Sequence, residues 1–348
     1  MLEKILINTP ESQSEIRIGE RWQNAFSLAP QNGTVIITDE NVLNLYGKYF
    51  PAVPVLSVPA GEQSKTLSRV EELGRQLLGT GIDRNGFILA IGGGVVSDLA
   101  GFLASIYLRG IRCAYVSTTL LSQVDASTGG KNGVDLAGVK NILGTIRQPE
   151  FVICDPSMLM TLSGDEYLSG LAELIKTAII GDKELFDLIG KHHEDIRKRN
   201  VEVLNILISR AVKFKADVVS KDEKEKGLRR ILNFGHTFGH AVEMELSLKH
   251  GFAVAAGMEL ATAFSFINGF CSKKDMERIT GMLRLFNLVD SRHVPPERMM
   301  HLILHDKKKS GDEINFVFTG GPGNALIRKI PSREILDFYK NHTEKNKQ

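Results

Sequence analysis

The apolar and polar positions divide the chain into two stretches with different rhythms. In the first, short apolar runs recur: Thr34–Thr38 (TVIIT), Pro54–Val58 (PVLSV), Phe87–Ile91 (FILAI), Ala114–Ser117 (AYVS) and Phe151–Cys154 (FVIC). They are nearly continuous rather than alternating, the pattern of strands covered on both faces. Between them lie helix-spaced positions such as Leu67, Val70, Leu73, Leu77 and Leu78, which predict a helix over Leu67–Leu78. Strands separated by helices predict a parallel sheet of βαβ units.

The rhythm changes near Asp155-Pro156, and from there to about residue 305 a helical period dominates. Ser163-Gly-Asp-Glu166 has the form of a capping box and predicts a helix start. Leu171, Leu174, Ile175, Ala178 and Ile179 follow at helical spacing, with Gly181 as the stop. Val201–Val219 and Phe252–Asn268 predict two more helices. Near the end, Ile314–Thr319, a GGPGN turn and Ala325–Ile330 predict a hairpin. The expected class is α/β: an N-terminal domain with a parallel sheet over residues 1–160, then a mainly α-helical domain over 161–348. No repeat or low-complexity segment interrupts it.

Composition narrows the function classes. With 43% hydrophobic and 24% charged residues the chain reads as globular, neither disordered nor fibrous. Lys and Arg number 43 against 41 Asp and Glu, which argues against a nucleic-acid partner but leaves room for a local anion pocket. Cys113, Cys154 and Cys271 have no ligand-like spacing and read as core residues of a reducing compartment. The segment MLEKILINTPESQSE turns polar too early for a signal peptide, and no apolar run approaches the ~20 residues of a membrane helix. The expectation is a cytoplasmic protein with no membrane contact.

Four constellations carry chemistry. In Ile91-Gly-Gly-Gly-Val-Val-Ser-Asp98 a strand runs into glycines, and a helix is expected over Asp98–Leu108 with Asp98 able to cap it. Such a turn lets N–H groups approach a pyrophosphate, although it lacks the G-x-G-x-x-G spacing and a plain tight turn reads equally well. The segment Gln123–Asn141 reads as a glycine-rich loop carrying Asp125, Lys131, Asn132, Asp135, Lys140 and Asn141, suited to a phosphate or polyol. Asn233–His240 (NFGHTFGH) places His236 and His240 four apart, with His250 further on. An i, i+4 histidine pair with a remote ligand is a zinc pattern; Glu173 is a candidate carboxylate, and spacing leaves His240 open between ligand and acid–base group. Last, Arg109, Lys176, Lys215, Arg229 and Lys307 are scattered cations. Lys215 sits among apolar neighbours of its helix, so an anion partner is expected unless its stem snorkels to the surface. The run KDEKEK (221–226) reads as a solvated loop, and His192-His193 as a solvated helix end.

Taken together, Gly61-Glu-Gln-Ser-Lys65, GGGVVSDLAGFLASIYLRG, STTLLSQVDASTGGKNGV, KNILGTIRQP, GLAELIK, LNFGHTFGHA, HGFAVAAGM and DKKKSGD resemble, in that order, the 3-dehydroquinate synthase family of sugar-phosphate cyclases. The resemblance implies a Rossmann-like NAD-binding domain followed by a helical domain holding a divalent metal, zinc or cobalt. It implies conversion of 3-deoxy-D-arabino-heptulosonate 7-phosphate to 3-dehydroquinate and phosphate. NAD oxidises C5, phosphate leaves by β-elimination, the hydride returns, and an intramolecular aldol step closes the ring. The net class is a lyase of the shikimate pathway, expected as a cytoplasmic homodimer.

By position, the resemblance assigns Glu173, His236 and His250 to the metal, leaving His240 for substrate. Asp39, Asn41, Glu62, Lys65, Gly93, Gly94, Val95, Asp98, Thr118, Thr119, Lys131, Lys140 and Thr161 correspond to NAD contacts. Lys131, Asn141 and His240 surround the substrate phosphate, with Arg109 arriving from a second subunit. Lys215 and Arg229 take the substrate carboxylate. Asp125, Lys176, Asn233 and Lys307 contact hydroxyls or complete the pocket. Three positions depart from the family pattern: Ser97 for Gly, Asn132 for Thr or Val, and Val139 for Gly. Another cyclase acting on a substrate without the carboxylate, a metal-dependent polyol dehydrogenase, and a non-catalytic binding protein are the competing readings.

Overall fold

In the computed structural model, which describes residues 2–10, 12–289, 292–306 and 312–345, the chain forms two compact units. One comprises 1–163 with 198–224, the other 164–197 with 225–348.

The first unit is built on a seven-stranded sheet in the order β1-β2-β9-β6-β5-β3-β4. Its strands are β1 (Glu3–Asn8), β2 (Gln13–Ile18), β3 (Thr34–Asp39), β4 (Val55–Val58), β5 (Phe87–Gly92), β6 (Arg112–Ser117) and β9 (Phe151–Cys154). The five apolar runs are its parallel core; β5 is buried at every position, as a strand covered on both faces must be. β1 and β2 pair antiparallel, and β2 joins β9 in parallel, so the sheet is mixed. β2 alternates buried with less buried positions, and β1, at the sheet edge, buries only Ile7, a weaker signal than the central runs.

The chain moves outward from β3 to β4, then returns to lay β5 on the other side of β3. Strand order therefore reverses between β3 and β5. In open α/β sheets, ligands bind beyond the carboxyl ends of strands at such a switch point. Thr38 and Ile91 are paired there, and the Thr38 hydroxyl donates to the Ile91 carbonyl at 2.7 Å.

Two expectations are corrected in this unit. The helix after β5 runs Gly94–Ile106, so Asp98 lies inside it rather than at its cap. The expected loop over 123–141 is a π-helical turn, Ser122–Ala126, followed by an antiparallel hairpin of β7 (Lys131–Leu136) and β8 (Val139–Ile146). Ala137 and Gly138 both have positive φ, the signature of a two-residue hairpin turn. Gly133 and Gly144 face each other, where an added Cβ would come within 2.7 Å of the Leu143 carbonyl or 2.5 Å of that of Asn132. The glycines serve strand approach.

The second unit is mainly helical. Gly164–Gly181, His236–Leu246 and His250–Ile267 carry the residues singled out above, and β10 (Glu313–Gly321) pairs with β11 (Asn324–Pro331) as the expected hairpin. His250–Ile267 has the length and apolarity of a membrane span, but 56% of it is buried as a core helix. An aromatic cluster of Phe238, Phe264, Phe316, Phe318 and Phe338 packs between it and the hairpin. Residues 161–348 are not one continuous domain. The helix Val201–Lys221, read with them, belongs to the first unit, where it packs on β1, β2 and the π-turn. Periodicity locates the buried face of a helix but not what covers it.

Candidate active site

In the first unit, the residues expected at the dinucleotide gather just past the carboxyl ends of the parallel strands. Asp39 ends β3 and caps the next helix by accepting from the Val42 N–H at 3.0 Å; burial raises its carboxyl above the ordinary range. Asn41 lies in that helix. Glu62 and Lys65 follow β4, Gly93, Gly94 and Val95 follow β5, Thr118 and Thr119 follow β6, and Thr161 follows β9. Gly93 caps the Gly94–Ile106 helix without any side-chain cap bond, so the first-turn N–H groups are left for another acceptor. A Cβ on Gly93 would lie 2.9 Å from the Thr119 methyl, so only glycine keeps that surface open. The buried Lys65 Nζ donates to Asp98 Oδ2 at 2.7 Å. Burial carries the Asp98 carboxyl up to about 6 despite the ammonium beside it.

The π-turn presents Asp125. Lys215, 7% exposed, donates to its main-chain carbonyl at 2.6 Å and pairs with its carboxylate. The buried lysine therefore has the anion partner the sequence called for. The turn is pinned from behind by the fully buried Gln123, whose Nε2 donates to the carbonyls of Ser117 (3.0 Å) and Asp155 (2.9 Å). π-turns are often kept where a side chain must be re-aimed.

The hairpin exposes Lys131, Lys140 and Asn141; Asn141 has φ +53° and donates its N–H to Asp135 Oδ1 at 2.8 Å. Asn132 is buried beneath them. It accepts from the Tyr115 hydroxyl at 2.8 Å and donates to the carbonyls of Gly130 (2.8 Å) and Arg147 (3.2 Å), bonds that Val could not make. Ser97 returns its hydroxyl to the Gly94 carbonyl at 3.0 Å, and Val139 is an exposed hairpin residue. The departures from the family pattern are thus absorbed locally. Arg109 is exposed, and it and Leu108 have left-handed backbone, φ +70° and +50°.

In the second unit Glu173, His236 and His250 come together. One ligand atom from each lies within 4.8 Å of the other two, the one such group among the described residues. They arrive on three helices, and glycines allow the approach: a Cβ on Gly251 would run into the Ser169 backbone, and one on Gly257 into the Gly235 carbonyl. Gly235 itself has φ +80° and turns the chain so that His236 opens its helix.

Glu173 is fully buried. Its Oε1 lies 3.4 Å from His250 Nε2 and 3.9 Å from His236 Nε2, and its other oxygen pairs with Lys176. The Nδ1 sides of both rings face acceptors, Phe234 O at 3.2 Å for His236 and Glu243 Oε2 at 3.3 Å for His250. Both Nε2 atoms are thereby turned towards the carboxylate. Burial, with the Lys176 charge nearby, lowers His236 to about 3, keeping it neutral as a ligand must be. His250 goes the other way: burial opposes its charge, but hydrogen bonds to Glu173 and Glu243 carry it up to about 10. The site demands positive charge between its carboxylates. A carboxylate and two Nε2 atoms at this spacing fit a divalent ion with positions left for substrate. His240 stands edge-on to His236, ring centroids 5.3 Å apart, outside the triad.

Residues 55–169 match the family profile described as 3-dehydroquinate synthase N-terminal, and residues 170–309 the one described as 3-dehydroquinate synthase C-terminal. The chain is similar to the 3-dehydroquinate synthase of Solibacter usitatus, at 39% identity over 92% of this chain and 94% of that protein. A relative of the same name from Dehalococcoides mccartyi is 40% identical over 86% of each. The chain belongs to the 3-dehydroquinate synthase family. With that membership come the activity, a NAD- and divalent-metal-dependent carbon–oxygen lyase, and both cofactors. Among solved structures, a 2-epi-5-epi-valiolone synthase from Streptomyces hygroscopicus with NAD+ and Zn2+ bound has TM-score 0.88 and 28% identity, covering 97% of this chain and 99% of that one. A 2-deoxy-scyllo-inosose synthase with NAD+ and Co2+ shares the fold at TM-score 0.83 and 24% identity, covering 97% and 100%.

Arg229 is buried in the second unit, and Asn233 there donates to Glu225 Oε1 at 2.6 Å. In the first unit, Glu223 accepts from Gln148 Nε2 at 3.1 Å. The run 221–226 is therefore partly engaged rather than a plain solvated loop. Lys307 lies outside the described residues. Sequence reasoning missed Gln123, Glu225 and Glu243. Of these only Glu243 had a local signal, falling seven residues after His236 and three after His240 on one helix face.

Proposed function

We propose that this family member converts 3-deoxy-D-arabino-heptulosonate 7-phosphate to 3-dehydroquinate and phosphate, acting in the cytoplasm as a zinc- or cobalt-loaded homodimer. The observation that carries the reading is the Glu173–His236–His250 triad around a buried carboxylate, each imidazole turned to it by an acceptor behind the ring. When bound, NAD supplies a reversible hydride acceptor and the divalent ion a Lewis acid.

The protein's part is positioning and charge placement. Gly93, Gly94 and Val95 offer main-chain contact to the dinucleotide pyrophosphate. Asp98, Lys65, Asp39, Asn41, Glu62, Thr118, Thr119, Lys131, Lys140 and Thr161 complete the cradle. Glu173, His236 and His250 hold the metal. Lys131, Asn141 and His240 surround the substrate phosphate, joined by Arg109 of a second subunit, and these charges oppose the negative charge that builds as phosphate leaves. The departing phosphate itself can take the neighbouring C–H proton, so no strong protein base is needed. Lys215 and Arg229 hold the substrate carboxylate, while Asp125, Lys176, Asn233 and Lys307 orient its hydroxyls.

Lys215 and Arg229 separate this reading from that of cyclases whose substrates lack the carboxylate. The test is phosphate release from the heptulosonate phosphate with NAD and Zn2+ or Co2+ supplied. Release that requires NAD and stops on chelation is expected. Release from sedoheptulose 7-phosphate alone would move the chain to another cyclase reaction.

A further inference from the structure

The acceptor behind His250 belongs to no residue set named for metal, cofactor or substrate. Glu243 stands on the His236–Leu246 helix, two turns after His236 and on the same face, its side chain 11% exposed. Its Oε2 is 3.3 Å from His250 Nδ1, and the opposite nitrogen of that ring is 3.4 Å from Glu173 Oε1. One ring is thus held between two carboxylates, one through each nitrogen. The neighbouring ring has a weaker anchor, the neutral carbonyl of Phe234 at 3.2 Å from its Nδ1.

We propose that Glu243 is a positioning residue for the metal: it accepts the Nδ1 proton of His250, fixes the tautomer that leaves Nε2 free to ligate, and raises the basicity of that nitrogen. A carboxylate behind a ligating imidazole orients the ring and strengthens its donation. Three consequences follow from the placement. One helix controls both histidine ligands, His236 directly and His250 through Glu243. His250 opens its own helix and is 32% exposed on its side chain, so without that bond its ring has freedom to turn away. The ligand set also gains a second negative charge without a second carboxylate touching the ion.

This rests on the metal triad of the proposed function, and the experiment separates the two. Metal-free parent, Glu243→Ala, Glu243→Gln and His250→Ala proteins are titrated with Co2+ against a competing chelator, following the visible absorption of the bound ion. Melting temperature is measured with and without metal. The parent binds one ion, and His250→Ala loses it. Glu243→Ala weakens affinity about 10–100-fold, the usual worth of an outer-sphere partner, and shifts the Co2+ spectrum while its metal-free melting temperature matches that of the parent. Glu243→Gln still accepts the Nδ1 proton and recovers most of the affinity, which a merely structural role would not explain. Parent-like affinity and spectrum in both Glu243 variants, beside a His250→Ala protein that binds no ion, overturn the role of Glu243 alone. A parent that binds no ion overturns the triad and this inference together.

Discussion

At Gly93 the first unit offers main-chain N–H groups and an absence of side chain, whereas at Glu173 the second offers a buried carboxylate and two imidazoles, each ring fixed by an acceptor behind it. Under the proposed function the contrast follows from what each would hold. A pyrophosphate is large, diffuse in charge and matched by a row of N–H groups at a helix start. A divalent ion is small and concentrated, so it needs a few fixed donors of defined protonation state. One site is therefore damaged by adding an atom, the other by removing one.

Reciprocal substitutions break the comparison most sharply. Glu173→Ala removes the buried carboxylate, and metal binding goes with it. Turnover falls at least ~1000-fold, the worth of several kcal/mol of Lewis-acid stabilisation. The stabilisation of the protein by added NAD, read as a melting shift, survives. Gly93→Ala does the reverse. Its new Cβ sits 2.9 Å from the Thr119 methyl, and a strain of about 1–3 kcal/mol weakens NAD about 10–100-fold while metal content stays that of the parent. Loss of both ligands in either variant would show that the two sites do not act separately.

A smaller effect sharpens the dinucleotide side. Burial raises Asp98 from 3.8 in the unfolded chain to about 6 in the fold, with Lys65 opposing. A raised carboxyl favours folding below its unfolded value, and that contribution is lost as pH climbs through about 6. If Asp98 accepts from cofactor hydroxyls, as the proposed function has it, it does so as the carboxylate, so NAD affinity should rise with pH through the same window. Asp98→Asn should flatten that rise and leave a several-fold weaker, pH-independent affinity. A calorimetric titration of NAD from pH 5 to 7.5 measures it, and an unchanged profile in Asp98→Asn would remove Asp98 from the cofactor.

The central strands were legible because burial on both faces leaves an unbroken apolar run, as in Phe87–Ile91. Spacing shows a histidine cluster in His236, His240 and His250, but it does not show that His250 and not His240 joins His236 at Glu173, since those two ligands open different helices. The β7–β8 hairpin was not legible, since glycines read as a loop unless Ala137-Gly138 is recognised as a two-residue turn. Periodicity shows a helix over Val201–Val219 but not the unit it belongs to, because its partners lie on β1 and β2, some 200 residues earlier. The same distance problem hid Gln123, whose buried amide ties Ser117 to Asp155, and the Asp125 partner of Lys215. Local pattern shows what a residue wants, and only the fold shows who supplies it.

The central claim is that NAD is oxidant and then reductant within one turnover. The most direct measurement supplies the metal-loaded protein with excess heptulosonate phosphate and a known, limiting amount of NAD, and follows phosphate and NADH absorbance together. The account predicts many phosphates released per NAD with no accumulation of NADH. One NADH formed for each substrate consumed would contradict it and make the protein a net dehydrogenase.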